Sequence, residues 1–466
     1  MASINRLMFR EYDVRGQVKE GELTKESVYL IGRGFGTFLA KKEIREVVIG
    51  YDARSYSEWI KDETARGLAD SGLRVIEIGL VTTPILYWSQ YHLGQKGSAM
   101  VTASHNPNGW SGFKLSYGYS KTMGPEEIKE LYSLIEKDTF VSEKGSIEKY
   151  AGDIIAEYGA DLLSRVKINK KMKIVVDCGN GTAGPIYPNI LKQAGLRVEE
   201  LFCDLDFTFP NHEPNPSDAH AAQFVCDKTR EVGADLGIGF DGDGDRLGIS
   251  DELGARVDAD KFLCLLSRQA LLESPGGKIV FDVKCSQSLP DDIVAHGGVP
   301  VMWKTGHSYI KQKSQEIGAI LGGEKSGHIF YAKSFFPHDD ALFAALKLLE
   351  YLSNQTESFS RIMKTVPQYV TTPTLQAPCA DEIKYKIVEK LVAEFKAEYG
   401  SEKVIDINGA RVLFPEGWGL VRASSNLPVI VMVFEGKTEE DVEKIKEIFK
   451  AKFAKYPEIG MEWKFG

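Results

Sequence analysis

Lys173-Ile174-Val175-Val176-Asp177, followed by a helical stretch and then Gly195-Leu196-Arg197-Val198, reads as a strand–helix–strand unit. The strand is apolar without alternation, which suits a parallel sheet covered on both faces. The unit occurs twice more. One copy is Glu46-Val47-Val48-Ile49-Gly50-Tyr51-Asp52 with Gly72-Leu73-Arg74-Val75-Ile76, and the other is Lys278-Ile279-Val280-Phe281-Asp282 with Gly298-Val299-Pro300-Val301. The closing acids Asp52, Asp177 and Asp282 recur roughly a hundred residues apart, too wide for a solenoid and suited to duplicated domains. Each copy then runs through a further strand into an unusual loop: Thr102-Ala103-Ser104-His105-Asn106-Pro107, Asp241-Gly242-Asp243-Gly244-Asp245-Arg246, and Glu324-Lys325-Ser326-Gly327-His328. Ligands in α/β sheets bind beyond the carboxyl ends of strands. Three such loops from comparable positions are therefore expected around one cleft.

The middle loop carries the plainest chemistry. Three carboxylates on alternate residues repel one another unless a cation lies between them, and the glycines let the backbone bring them to one point. Oxygen-only ligands suit a hard ion such as Mg²⁺ or Ca²⁺ rather than zinc or copper. Asp241, Asp243, Asp245 and Glu252 also match positions of a calcium-binding EF-hand loop, but Arg246 stands where that loop needs glycine, and the flanks read as strands rather than helices. A solvated acidic turn is the bland reading of the run taken alone.

The chain has 466 residues, 43% hydrophobic and 26% charged, the composition of an ordinary globular protein of about three domains by length. A net charge of -9 argues against a general nucleic-acid binder. An anionic small substrate has to be held by a local cluster of Arg, Lys and His. Cysteines 178, 203, 226, 264, 285 and 379 are scattered without a CxxC pair and read as reduced, mostly buried thiols. No signal peptide is expected from Met1–Arg10, and Val429–Phe434 is strand-length, far too short to span a bilayer. A cytoplasmic protein without membrane partners is expected; monomer and dimer both stay open.

The last stretch differs. Pro367, Pro373 and Pro378 mark a linker, after which helices at 381–399 and 438–455 alternate with strands at 404–407, 411–414 and 429–434. Between two of these strands lies Arg422-Ala423-Ser424-Ser425-Asn426-Leu427-Pro428, a cation beside hydroxyl and amide donors that suits a phosphate, or else an ordinary polar turn. The fold class is α/β: three related mixed-sheet domains over 1–150, 151–253 and 254–367, with a smaller α+β domain over 368–466, around a central cleft.

Those four loops in that order resemble the α-D-phosphohexomutases, most closely the bacterial phosphomannomutase/phosphoglucomutase branch. The resemblance starts at Phe9-Arg10-Glu11-Tyr12-Asp13-Val14-Arg15-Gly16 and takes in Phe209–Pro216, Asp282-Val283-Lys284-Cys285 and Lys304-Thr305-Gly306-His307-Ser308. It implies a phosphoserine at Ser104 and one Mg²⁺ held by Asp241, Asp243, Asp245 and a phosphoryl oxygen on Ser104. It also implies a bound hexose 1,6-bisphosphate that turns end for end between two phosphoryl transfers. By the same resemblance Arg246 helps draw off phosphoryl charge, and Glu324 and Ser326 read the sugar. His328 binds or shuttles a proton, and Arg422, Ser424, Ser425 and Asn426 grip the non-transferring phosphate. Tyr12, Arg15, Lys114, Lys284 and His307 take cleft positions, with Arg15 or Lys114 neutralising phosphoserine charge or moving a proton, and a mobile fourth domain opens and closes the cleft. Two departures stand out. The final loop has Ser425-Asn426 where this branch more often has Asn-Thr, and Ser111 replaces an asparagine before Gly112-Phe113-Lys114. The clamp lacks the Arg-Pro-Ser-Gly-Thr-Glu-Pro of the glucosamine branch, which favours mannose and glucose phosphates. The alternatives are a phosphoglucosamine mutase or a Mg²⁺-dependent sugar phosphatase, and outside enzymes a sugar-phosphate or calcium binder.

Overall fold

The computed structural model describes residues 4–425 and 427–465. The chain forms two compact units, Met1–Ala259 with Ser326–Arg361, and Asp260–Lys325 with Ile362–Gly466. All three repeats close into the same parallel core. In the first, Glu46–Tyr51 lies between Arg74–Leu80 and Gly97–Val101, parallel to both. In the second, Lys173–Asp177 lies between Arg197–Leu201 and Leu236–Phe240. In the third, Lys278–Asp282 lies between Val299–Trp303 and Leu321–Gly323. The leading strand is central each time, so successive side chains on both its faces are buried: Val47, Val48 and Ile49, then Ile174, Val175 and Val176, then Ile279, Val280 and Phe281. That is the physical origin of the unbroken apolar runs.

Within the first unit, Gly97–Val101 pairs antiparallel with Trp110–Tyr117, and Leu236–Phe240 with Leu247–Asp251. Both sheets are therefore mixed, and the intervening loops hang from the carboxyl ends of the parallel strands. Helix Ala341–Ser353, capped by Asp340 through Phe343 N, packs against Leu247–Asp251, so part of the 254–367 stretch lies in the first unit.

In the second unit the C-terminal sheet is antiparallel, running Val404–Ile405, Ala410–Phe414, Gly417–Ala423, Val429–Gly436, Leu375–Pro378, Lys464–Phe465. Helices Asp381–Tyr399 and Glu439–Phe453 cover one face, where Phe395 and Phe449 of the helices meet Phe434 of the sheet. The strand Gly417–Ala423 lies outside the expected strands, because its glycines interrupt the apolar pattern. Gly419 is required there by packing, since a Cβ would lie 2.4 Å from the Phe449 ring. Arg422 and Ala423 thus end a strand rather than begin a loop.

Trp418, Leu420 and Val433 pack against Val283 of the third repeat. Arg411, fully buried, lies 3.5 Å over the Trp418 ring and donates to the carbonyls of Val283 and Cys285, both at 2.8 Å. Glu435 accepts from Trp418 Nε1 at 2.7 Å and Gln287 N at 2.8 Å. Movement of the C-terminal domain therefore has to break these buried bonds or carry the third repeat with it. Among the described residues no helix is long and apolar enough to cross a membrane.

Candidate active site

Ser104 follows the strand Gly97–Val101 in a tight turn, with φ of 52° in the left-handed region that non-glycine residues rarely occupy. The turn is held from three sides. Ser104 N donates to Thr102 Oγ1 at 2.8 Å, and Arg54 Nη2 donates to the Ser104 carbonyl at 3.1 Å. Arg54 also donates to the Pro107 carbonyl at 2.9 Å and pairs with Asp52 at 3.3 Å, with both side chains buried. Asp52 in turn accepts from Ala103 N at 3.3 Å. The strained turn puts Ser104 Oγ 3.0 Å from Asp241 Oδ2, to which it donates, and 3.1 Å from His105 Nδ1. Burial, with Arg246 and Arg15 adding to it, pushes the His105 imidazole well below its ordinary value, so it stays neutral.

Asp241, Asp243 and Asp245 are fully buried and offer one oxygen each within 4.8 Å of one another. Gly242 is what lets their loop approach the serine turn: a Cβ there would lie 2.5 Å from the Ser104 carbonyl oxygen. Asp241 Oδ1 caps the loop by accepting from Asp245 N and Arg246 N, both at 3.0 Å. Asp243 Oδ2 accepts from Thr83 Oγ1 at 2.6 Å and Lys114 Nζ at 2.7 Å, and Lys114 also bonds Asp245 Oδ2. Burial alone would lower the Lys114 ammonium, but Asp243 and Asp245 outweigh it and hold it well above the ordinary lysine value. Burial with repulsion from Asp245 and Asp243 pushes Asp241 up, whereas for Asp243 the burial cost is overcome by Lys114, which draws it down.

These residues fit a divalent cation. Lys114 is bonded to the cluster and the Arg246 guanidinium lies 3.9 Å from Asp241 Oδ2, so two cations face three acids and one negative charge is left over. Asp243 Oδ1 and Asp245 Oδ1 are buried and accept no hydrogen bond from any described residue. Orphaned carboxylate oxygens at such depth are costly, and a hard cation satisfies them at once.

Arg246 Nε donates to His328 Nε2 at 3.0 Å and lies 3.9 Å from Asp241 Oδ2. A nitrogen that accepts from a guanidinium presents a lone pair, so the His328 ring proton belongs on Nδ1, which lies 2.9 Å from Asp339 Oδ2 and 3.6 Å from Asp245 Oδ1. Asp339, His328 and Arg246 thus form a line of polar contacts ending at the aspartates. Arg15 donates to Asn106 Oδ1 at 2.9 Å and to Asp13 at 2.8 Å, buttressing the serine turn, with Tyr12 buried nearby in the chain. The carbonyl of half-buried Ser326 accepts from Ser217 Oγ at 2.9 Å.

The second unit holds a separate cluster. Glu324 is buried and accepts from Gly306 N at 2.7 Å, next to His307 at the start of helix His307–Ile317. Asp282 accepts from Thr305 Oγ1 at 2.9 Å and lies 3.5 Å from Lys284 Nζ. Asn408 Oδ1 takes Thr305 N at 3.3 Å and Arg422 Nε at 2.8 Å. Ser424 Oγ accepts from Leu427 N at 3.2 Å, and Ser425 is half-buried; Asn426 lies outside the described residues.

Ser104, Arg15, Lys114, Asp241, Asp243, Asp245, Arg246 and His328 are thereby gathered in one unit, and Lys284, His307, Glu324 and Arg422 in the other. Asp52, Arg54, Thr83, Asp339 and Asn408 also serve these clusters. Only Asp52 carried a signal, as the acid closing a repeat; the others act through contacts distant in the chain.

Four family descriptions match successive stretches of the chain: phosphoglucomutase/phosphomannomutase alpha/beta/alpha domains I, II and III over residues 6–142, 149–254 and 258–369, and the C-terminal domain over 375–452. A phosphomannomutase/phosphoglucomutase of Pseudomonas syringae is 40% identical over 96% of this chain and 95% of its own. A phosphoglucomutase of Neisseria meningitidis is 38% identical over 98% of this chain and 99% of its own. Among solved structures, a phosphoglucomutase/phosphomannomutase family protein of Burkholderia thailandensis superposes with a TM-score of 0.90 at 34% identity, covering 98% of this chain and 99% of that one.

Proposed function

Because the chain belongs to the phosphoglucomutase/phosphomannomutase family, we propose that it interconverts hexose 1-phosphates and hexose 6-phosphates by phosphoryl transfer through Ser104. The observation that carries the reading is the Ser104 hydroxyl, 3.0 Å from Asp241 in a buried three-aspartate cluster with two orphaned oxygens. In its working form Ser104 carries a phosphate. Asp241, Asp243 and Asp245, with an oxygen of that phosphate, would hold one Mg²⁺, which supplies the positive charge that makes a serine phosphate a competent donor.

The protein's own groups do the rest. The Asp52–Arg54 brace fixes the serine turn, so that the donor oxygen is positioned rather than searched for. Lys114, held protonated, contributes charge beside the acids rather than a base. Arg246, held by His328 and beside Asp241, is the proposed group that draws off phosphoryl charge. Arg15 steadies the turn through Asn106. Glu324, with one oxygen held by Gly306 N, is the proposed acceptor for sugar hydroxyls, with Ser326 as a further sugar contact. Arg422, Ser424, Ser425 and Asn426 grip the phosphate that is not transferred, and Tyr12 of the first unit and Lys284 and His307 of the second are further proposed sugar contacts. Phospho-Ser104 gives its phosphoryl group to the free O6 or O1, the 1,6-bisphosphate turns end for end, and Ser104 takes back the other phosphate. Hexose 1,6-bisphosphate restores a dephosphorylated serine.

Mannose and glucose phosphates are the proposed substrates, supported by the Arg422–Pro428 clamp sequence, and the cytoplasm the proposed compartment, supported by six free cysteines. The test mixes the protein with mannose 1-phosphate or glucose 1-phosphate, Mg²⁺ and catalytic hexose 1,6-bisphosphate, following the 6-phosphate by phosphorus NMR. Intact-mass analysis of the protein and of Ser104→Ala reads the phosphoenzyme. Full activity in the alanine variant refutes the proposal, and release of free phosphate at the isomerisation rate replaces it with the phosphatase reading.

A further inference from the structure

Cys178 and Cys203, far apart in the chain, meet in the first unit. Cys178 follows the strand Lys173–Asp177, and Cys203 lies just past Arg197–Leu201. The parallel pairing of these strands runs on beyond their ends: Cys178 N donates to the Leu201 carbonyl at 3.2 Å, and Asn180 N to the Phe202 carbonyl at 2.7 Å. The two sulfurs are held 3.5 Å apart, in van der Waals contact. Cys178 is buried, and Cys203 is the one cysteine of the six that is not. The backbone of the same segment supports the aspartate loop. Thr182 N donates to the Gly242 carbonyl at 2.9 Å, a Cβ on Gly181 would lie 2.9 Å from Gly242 Cα, and a Cβ on Gly184 would lie 2.0 Å from the Cys203 carbonyl oxygen.

We propose that Cys178 and Cys203 are an oxidisable dithiol that closes to a disulfide under hydrogen peroxide, and that closure disturbs the loop bearing Asp241, Asp243 and Asp245. Half-buried Cys203 reacts first. Its sulfur attacks a peroxide oxygen, the O–O bond breaks, and the thiol proton leaves with the departing hydroxide as water, giving a sulfenic acid. Burial keeps Cys178 protonated and unreactive toward solvent oxidant until the sulfenic sulfur is presented to it. The Cys178 sulfur then attacks that sulfur, the S–O bond breaks, and water leaves with the Cys178 proton. Two thiols and one peroxide thus yield one disulfide and two waters. The sulfurs have to close to about 2 Å, and the shift is passed to the segment 178–184, which packs on Gly242 through Gly181 and Thr182.

The experiment treats the full-length protein with hydrogen peroxide and maps it by mass spectrometry. The expected result is a mass loss of about 2 Da, a linked peptide pair containing Cys178 and Cys203, reversal by dithiothreitol, and none of this in Cys203→Ala or Cys203→Ser. Sulfinic acid at Cys203, or its pairing with another cysteine, overturns the site. The effect on the loop is read by Mn²⁺ affinity, expected to weaken about tenfold on oxidation in the wild type and not in the variants; unchanged affinity in the disulfide form overturns the coupling. Mutase activity is expected to fall in parallel, an arm that rests on the proposed function. Its absence in untreated protein refutes that function, while the peptide map and the Mn²⁺ measurement still decide the dithiol.

Discussion

The acid that closes the leading strand does one job in the first and third repeats and a different one in the second. Asp52 accepts from Ala103 N, two residues past the end of the strand Gly97–Val101. Asp282 accepts from Lys325 N at 3.2 Å, two residues past Leu321–Gly323. In both, the carboxylate braces the loop at the end of the neighbouring strand. In the second repeat the corresponding amide is Gly242 N, and it donates instead to the Pro214 carbonyl at 3.1 Å. Asp177 accepts from Gly179 N at 2.8 Å, much as Asp52 accepts from Arg54 N at 3.2 Å, but its other oxygen has turned to His212 Nε2 at 3.0 Å. The difference is electrostatic. A loop that already holds three buried carboxylates cannot take a fourth as its brace without raising the repulsion that Lys114 only partly offsets, so a neutral carbonyl replaces it. The brace is a neutral carbonyl where the loop gathers three buried carboxylates.

Removing a charge from each loop or brace tests that difference. Asp241→Asn is expected to have the largest effect: it takes a ligand from the cluster and the acceptor from Ser104, and mutase activity should drop by about 10³-fold or more, roughly 4 kcal/mol of barrier. The Mg²⁺ dependence of the residual rate is the accompanying readout, and a variant within tenfold of the parent that still responds to Mg²⁺ would contradict the site. Asp52→Asn comes next. It keeps the shape of the brace but leaves the Arg54 guanidinium buried without its counter-charge, at a cost of about 3 kcal/mol in denaturant unfolding. Because Arg54 holds the serine turn, kcat should fall more than KM rises. Asp282→Asn is expected to be milder, about 1 kcal/mol, because Thr305 can still donate to the amide oxygen and Lys284 is only 3.5 Å away at a half-buried position. Its effect should appear in KM, since the loop it braces carries Glu324. Equal losses in the two brace variants would show that the braces are structural in the same sense and that only the triad matters for chemistry.

What the sequence reveals and what it hides follow from the range of the interactions. The leading strands are legible because a central strand buries both faces, and Ile174-Val175-Val176 has no other reading at that length. The triad is legible because three close acids need a common cause. The strand Gly417–Ala423 is not, because Gly419 is there for the Phe449 ring, a contact absent from any local pattern. Arg54, Asp339 and Asn408 are ordinary polar residues until the fold sets them against Ser104, His328 and Arg422. The cysteine pair is hidden for the same reason: spacing in the chain carries nothing about two strands that pair in parallel.

The smallest predicted effect bears most directly on the reassigned acid. His212 Nδ1 lies 2.8 Å from the Glu213 carbonyl and Nε2 lies 3.0 Å from Asp177 Oδ2, so both ring nitrogens face acceptors. A neutral imidazole has one N–H and cannot serve both, whereas the imidazolium can. Burial opposes the charge, but Asp177 outweighs it and holds the His212 pKa above its ordinary value. A histidine whose pKa is raised in the folded state contributes stability that is fully present below the unfolded value, about 6.5, and is lost as pH rises through the folded one. The wild type should therefore exceed His212→Gln in melting temperature by more at about pH 6 than at about pH 9. Asp177→Asn should remove the pH dependence of that gap. Among the described residues Asp52 and Asp282 have no histidine partner, so their variants should shift stability by the same amount at both pH values. A gap that is flat with pH for His212→Gln would mean that Asp177 is braced by a neutral ring, and that the second repeat avoids charge on both sides of its loop.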